Sequence, residues 1–145
     1  MQALFWTSLL LLFYTYLGYG VLLLLVTAFY KRTLVPNAPY LPPVTVVVPA
    51  YNEEAVIEEK IKNSLALTYP SDKIRFVFVT DGSTDATPAI VKQHPIVTLL
   101  HQPLRQGKTA ALNRAMTIVQ TPFVVFTDAN TFLHTDSLQK MMRHY

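Results

Sequence analysis

The chain has 145 residues, with twelve Lys and Arg against nine Asp and Glu and no cysteine. The net charge of +3 is spread along the sequence rather than clustered, which argues against a nucleic-acid partner. The absence of thiols excludes disulfides and thiolate metal sites and suits a reducing compartment. Every charged residue lies after Tyr30, so residues 31–145 hold one globular domain at most.

Ala3 to Tyr30 is uncharged and rich in Leu, Phe, Tyr and Val. About 20 apolar residues suffice to cross a bilayer as a helix, so residues 4–30 are read as a single transmembrane helix. A cleaved secretory signal is the rival reading. It would need a charged n-region, a shorter apolar core and a small-residue cleavage site, none of which is visible. Lys31-Arg32 follows directly, which places the globular part in the cytoplasm and the N-terminus outside. Residues 31–43 carry Pro36, Pro39, Pro42 and Pro43 and are expected to form an extended, semi-rigid stalk.

From residue 44 the chain alternates strand and helix. Val44 to Val48 is a β-branched apolar run, as expected of a strand buried on both faces, with Pro49 ending it. Residues 53–67 have helical periodicity, with Glu58 and Lys62 as an i,i+4 pair. A second strand is predicted over Phe76 to Thr80, then a helix from Asp85, whose carboxylate caps it, to Gln93. A third strand follows over Ile96 to Leu100, and a helix over Lys108 to Val119. The fourth strand is Phe123 to Thr127, and Asp136 caps a last helix carrying Leu138, Met141 and Met142. The order βαβαβαβα predicts an α/β fold with an open, mostly parallel sheet.

Four strings carry candidate chemistry at the strand ends, where open parallel sheets bind ligands. In Pro49-Ala50-Tyr51-Asn52-Glu53 the ring of Tyr51 suits stacking on a base; the alternative is a strand-to-helix turn capped by Asn52. Asp81-Gly82-Ser83-Thr84-Asp85 concentrates two acids and two hydroxyls, or is a turn that needs Gly82 and a capping Asp85. Gln106-Gly107-Lys108-Thr109 lacks the glycine that a Walker loop requires where Gln102 stands. Lys108 nonetheless opens a helix, where its ammonium and the helix N-terminus suit a diphosphate, with a solvated lysine as the alternative. Asp128-Ala129-Asn130 places two oxygen-bearing side chains two residues apart, which suits a hard divalent cation, or is a plain turn. His94, His101, His134 and His144 have no ligand spacing.

Taken in order, these strings, with Ala111-Leu112-Asn113 after Gly107-Lys108, resemble the family 2 glycosyltransferases, inverting enzymes of the GT-A (Rossmann-like) fold that use nucleotide-sugar donors. The resemblance covers about Pro43 to Tyr145, the N-terminal, donor-nucleotide-binding part of such a domain. It implies that Pro49, Tyr51, Glu53, Asp81, Lys108 and Asp128 bind the nucleotide sugar. In particular it implies that Tyr51 and Glu53 line the base and ribose pocket, and that Asp81 accepts the uracil imide proton. It also implies that Asp128 with Asn130 holds Mg²⁺ or Mn²⁺ on the diphosphate. Cytosine offers a carboxylate no imide N–H, so an Asp there accounts for a UDP-sugar. Asn130 stands where the family has a carboxylate, so weaker metal binding is expected. The family's catalytic base and its Gln-x-x-Arg-Trp motif come later in the family's order, so the base is expected beyond Tyr145 and this chain alone is expected to be inactive.

The reading that results is a membrane-anchored, polysaccharide-synthase-like enzyme of a bacterial cell membrane. It would transfer a sugar from a nucleotide-sugar donor to a glycan or lipid-linked acceptor. The alternative is a non-catalytic membrane module that binds a nucleotide or a protein partner.

Overall fold

The computed structural model describes residues 1–29 and 40–145, and the chain divides into two units, Met1–Val35 and Pro36–Tyr145. Residues 30–39, which include Tyr30 of the expected span and most of the expected stalk, lie outside the described residues.

In the first unit, α1 (Gln2–Phe13) and α2 (Tyr19–Phe29) are joined by one π-helical turn, Tyr14–Gly18. Together they make a 28-residue helix with a mean hydropathy of 2.2, long and apolar enough to cross a membrane. At 1.5 Å per residue its length is about 42 Å, beyond the roughly 30 Å of a hydrocarbon core. Its apolar side chains face outward all round, with none buried within the chain. The hydroxyls of Thr7, Thr15 and Thr27 donate to the carbonyls of Ala3, Leu11 and Leu23, so the helix satisfies its three threonines internally. That is the arrangement a lipid surround demands.

The second unit is built on a parallel sheet of β1 (Val44–Ala50), β2 (Ile74–Asp81), β3 (Thr98–Gln102) and β4 (Phe123–Phe126), in the order β3-β2-β1-β4. Val44 pairs with Ile74 on one side and Phe123 on the other, and Asp81 pairs with Gln102. The helices are α3 (Ile57–Leu65), α4 (Thr87–Lys92), α5 (Lys108–Met116) and α6 (Ser137–Met142). Val44, Val46, Val48 and Ala50 pack with Ile57, Ile61, Phe76, Phe78, Leu138 and Met142 on one face. Val47, Val77 and Val79 pack with Ala111 and Ala115 of α5 on the other. Burial on both faces is why β1 reads as an uninterrupted apolar run. The chain moves outward from β1 to β3 and then returns to the far side of β1, so the order reverses between β1 and β4. In open α/β sheets that reversal opens a crevice at the carboxyl ends of the strands.

Several boundaries differ from expectation. Pro49 does not end β1 but lies within it, opposite Val79. The carbonyl of Val47 accepts from Thr127 N–H at 3.1 Å, so alternation turns the nitrogen of Pro49 to the same side, past Phe126, the last paired residue of β4. No ladder donor is lost there. β3 starts two residues later than predicted, because pairing with Val77 to Asp81 sets its limits, and Ile96 is left in the preceding turn, exposed. α3 starts at Ile57 rather than at 53, since Val56 and Ile57 close a turn onto the carbonyl of Glu53. Asp85 stands one residue before the N-cap of α4, yet its Oδ1 accepts Thr87 N–H at 3.0 Å. Asp136 occupies the N-cap position of α6, but its carboxylate bonds His134 and Lys140 instead of the helix amides.

Candidate functional site

At the carboxyl edge of the sheet lies a cleft of about 340 Å³. Pro49, Tyr51, Glu53, Asp81, Lys108, Asp128 and Asn130 all line it, with Val79, Ala111 and Ala129 adding apolar surface. The end of β2 and the segments after β1, β3 and β4 each contribute. Residues up to 81 positions apart in sequence, Pro49 and Asn130, thus share one concavity. No histidine lines it: His94, His101 and His134 bond Glu58, Thr80 and Asp136.

The first two loops are tied together by side chains. Asn52, at φ 53°, accepts from Thr84 N–H through Oδ1 at 2.8 Å and donates its own N–H to Ser83 Oγ. Glu53 N–H donates to Thr87 Oγ1, and Glu54 N–H donates to Asp85 Oδ2. Ala86 N–H returns a bond to the Glu54 carboxylate. Asn52 therefore does not cap α3; it joins the β1 loop to the β2 loop. The acids and hydroxyls of the 81–85 string divide their work, with Asp81 at the cleft and Ser83 and Asp85 in the scaffold. Burial raises the Asp85 carboxyl, but hydrogen bonds from Thr87 and the amide of Glu54 outweigh it and hold it below the ordinary value.

Asp81 is 5% exposed and almost fully engaged. Its Oδ2 accepts the amides of Gln106 and Gly107 at 2.8 and 2.7 Å, and its Oδ1 accepts from Arg114 at 3.2 Å. Burial pushes its carboxyl up, while the two amides and the guanidinium pull it further down, to a value below the usual carboxylate range. Gly82 permits this closure. Its φ is +71°, and a Cβ there would stand 2.5 Å from Cβ and 2.7 Å from Cα of Arg105. The loop before α5 is thus seated directly against the Asp81 turn, and Arg105 lies over the ring of Tyr51, 3.8 Å from its centroid.

The opposite wall is different. Lys108 Nζ donates to Asp128 Oδ1 at 2.6 Å, with both side chains more than half exposed (63% and 55%). Such a pair contributes little and separates easily. Beneath the 128–130 turn, Lys60 is completely buried on the inward face of α3 with Ile57, Ile61 and Ser64. Its ammonium donates to Thr127 Oγ1 at 2.9 Å and to the carbonyl of Thr131. Burial lowers its pKa, opposed by the Asp128 carboxylate.

Among the described residues no group of three or more His, Cys, Asp or Glu is assembled to hold a metal. Asp128 and Asn130 supply one carboxylate and one amide oxygen to the cleft. That set fits a cation whose remaining positions are filled by phosphate oxygens and water.

Sequence reasoning missed Arg105, Arg114 and Lys60. For Lys60 a signal existed, because it falls at helical spacing among the apolar and small residues of the buried face. Arg105 and Arg114 gave none, since their partners are set by tertiary closure.

The Glycosyl transferase family 2 model matches residues 45–145. The chain is 33% identical over 115 residues to a beta-monoglucosyldiacylglycerol synthase of Synechocystis sp., covering 75% of this chain and 24% of that enzyme. It thus spans about a quarter of the length of such curated relatives. Among solved structures, a mannosyltransferase from Pyrobaculum calidifontis in complex with GDP-Man and Mn²⁺ superposes with a TM-score of 0.79 at 35% identity, over 92% of this chain and 42% of that one. The TarS protein of S. aureus (residues 1–349) in complex with UDP-GlcNAc gives 0.64 at 25% identity, over 68% and 30%. Four parallel strands with flanking helices, like those of GT-A enzymes, and a family match from Thr45 to Tyr145 lead to one assignment: the chain belongs to glycosyl transferase family 2.

Proposed function

We propose that this chain supplies the donor site of a membrane-anchored, inverting glycosyltransferase that takes a sugar from a UDP-sugar to a glycan or lipid-linked acceptor. The observation that carries this reading is the convergence of seven residues, from the carboxyl ends of strands and the segments that follow them, on one cleft at the strand-order reversal. The N-terminal helix would cross a bacterial cell membrane once, and Lys31-Arg32 favours a cytoplasmic catalytic unit.

Within the cleft, Tyr51 with Arg105 and Glu53 form the base and ribose end. The Asp81 carboxylate has one oxygen taken by two amides and the other shared with Arg114, which leaves room for one further donor. Uracil presents a single imide N–H, whereas guanine presents an adjacent pair of donors that would need two free oxygens. This geometry favours uracil. At the other end Lys108 and the first amides of α5 meet the diphosphate.

Inverting transfer forms a bond between the acceptor oxygen and the anomeric carbon on the face opposite the leaving group. The bond to the β-phosphate oxygen breaks, and its electron pair leaves with UDP. Negative charge grows on the diphosphate, where Lys108 and the α5 terminus stabilise it. Mg²⁺ or Mn²⁺, held by Asp128 and Asn130, would supply further neutralisation of that charge. The acceptor proton needs a carboxylate base. Asp81 and Asp128 are engaged at the nucleotide end, so we place the base outside these residues, after Tyr145 in the complete enzyme.

Calorimetric titration of the 145-residue chain in detergent tests the donor reading. UDP is expected to bind with a micromolar Kd and GDP about tenfold more weakly, the size expected when a hydrogen-bonding site meets an imperfect partner. Absence of binding by either nucleotide would sink the proposal. Equal binding would remove the uracil preference and return the cleft to a generic nucleotide site.

A further inference from the structure

We propose that Lys60 is a positioning residue for the donor's diphosphate, holding the 128–130 turn at both of its ends and placing a positive charge beneath it. The inference rests on the donor-site reading of the cleft.

The two acceptors of the Lys60 ammonium, Thr127 Oγ1 and the Thr131 carbonyl, flank the turn that sends Asp128 and Asn130 into the cleft. One helical turn along α3, Asn63 repeats the device. Its Nδ2 donates to the carbonyl of Leu133 at 2.8 Å, and its Oδ1 accepts Leu133 N–H at 2.9 Å. The segment 127–133 is therefore fastened to α3 by three side-chain attachments, and its one bond to the sheet is the Thr127 N–H to the Val47 carbonyl. The position of the candidate phosphate and metal ligands depends on α3, although no α3 residue lines the cleft.

Tethering alone does not require an ammonium. Both acceptors are neutral, and among the described residues Lys60 makes no ion pair within 4.0 Å. A buried charge without a counter-ion is costly, so a neutral side chain would hold the turn at less expense of stability. The nearest wall of the cleft explains the charge. The turn offers one carboxylate, Asp128, already bonded by Lys108, and Asn130 adds none. With Lys60 below and Lys108 above, two ammonium groups face one carboxylate, an excess suited to a multiply charged diphosphate. The same excess opposes a free divalent cation, so anion and metal are expected to bind together rather than metal first.

The test compares UDP with uridine, which lacks the phosphates, by calorimetry on the 145-residue chain in detergent, with EDTA and with Mn²⁺. Lys60→Met is expected to weaken UDP about tenfold in EDTA, roughly what a unit charge contributes from about 12 Å away at an effective dielectric near 20. Uridine affinity is expected to stay unchanged. Thr127→Val keeps the charge and cuts one tether; it is expected to weaken UDP about threefold and to spare uridine, the loss of a single hydrogen bond. It also serves if Lys60→Met does not fold. UDP affinity equal to the parent chain in the folded variants overturns the inference, and so does a parallel loss of UDP and uridine, which would make Lys60 a scaffold residue only. A parent chain that binds neither ligand overturns the donor-site reading itself, and this inference with it.

Discussion

The two ends of the cleft are built on opposite plans. At the Asp81 end, the carboxylate is buried, takes two amides and a guanidinium, and is sealed by a glycine that admits no side chain. At the Asp128 end, the carboxylate is half exposed, bonded to one solvated lysine, and carried on a turn held from below. The difference teaches where this site is preorganised. Recognition of a flat, neutral base benefits from donors and acceptors fixed in advance, whereas a diphosphate and its cation arrive with their own charges and need ligands that can move.

The largest expected effect breaks the sealed end. Gly82→Val adds a Cβ at 2.5 Å from Arg105 in a left-handed backbone and should cost about 3 kcal/mol or more, read as a drop in melting temperature or loss of folded protein. Gly107→Ala is the control. Its φ of +97° is also unfavourable, but nothing stands within 4 Å, so only about 1–2 kcal/mol is expected. Equal effects at the two glycines would show that backbone strain, not closure against Arg105, governs the Asp81 end.

Asp81→Asn comes next, at about 2 kcal/mol, since it leaves charge-assisted donors imperfectly matched. Asp128→Asn should shift stability by less than about 0.5 kcal/mol, because the ion pair is solvated. The pH dependence sharpens the contrast. The folded pKa of Asp81 and Asp85 lies below the unfolded value near 4. The unfolded chain therefore binds more protons in acid. Their contribution is present above the unfolded pKa and is lost as pH falls through the folded values. Denaturant titrations at stepped pH should find that Asp85→Asn flattens the stability change below about pH 4, and a curve as steep as the parent's would contradict the assignment.

The smallest effect concerns the open end. Asn130→Asp adds a second carboxylate and should raise Mn²⁺-dependent UDP binding a few-fold, while its added negative charge weakens UDP in EDTA. UDP affinity unchanged in EDTA would show that the charge of this turn does not act on the diphosphate.

Much of the sheet was legible in sequence because local chemistry decides it. The valines of β1 follow from burial on both faces, and α5 and α6 start where predicted, at Lys108 and after Asp136, although the Asp136 carboxylate does not cap its helix. Strand limits were less legible. Pro49 looked like a terminator because local reasoning cannot know that its neighbour on that side, β4, stops at Phe126. The cleft residues were found because each sits where a strand ends, yet their wiring was not. Asp85 does take the Thr87 amide two residues on, but its other oxygen and the Ser83 hydroxyl bond amides more than 30 positions away on the β1 loop. The spacing of Lys60 with Ile57, Ile61 and Ser64 marks it as inward-facing, but its acceptors, Thr127 and Thr131, are distant in sequence and leave no local trace.

The side-chain ties between the β1 and β2 loops have a consequence for hydrogen exchange. The amides of Glu53, Glu54, Thr84 and Ala86 belong to loops, yet each donates to a side chain of the other loop or of the turn that follows it. Such amides exchange only when both loops part, and the loops grow directly from the two central strands. The two loops at the Asp81 end of the cleft are therefore expected to open together rather than one at a time, so these four amides should show similar protection.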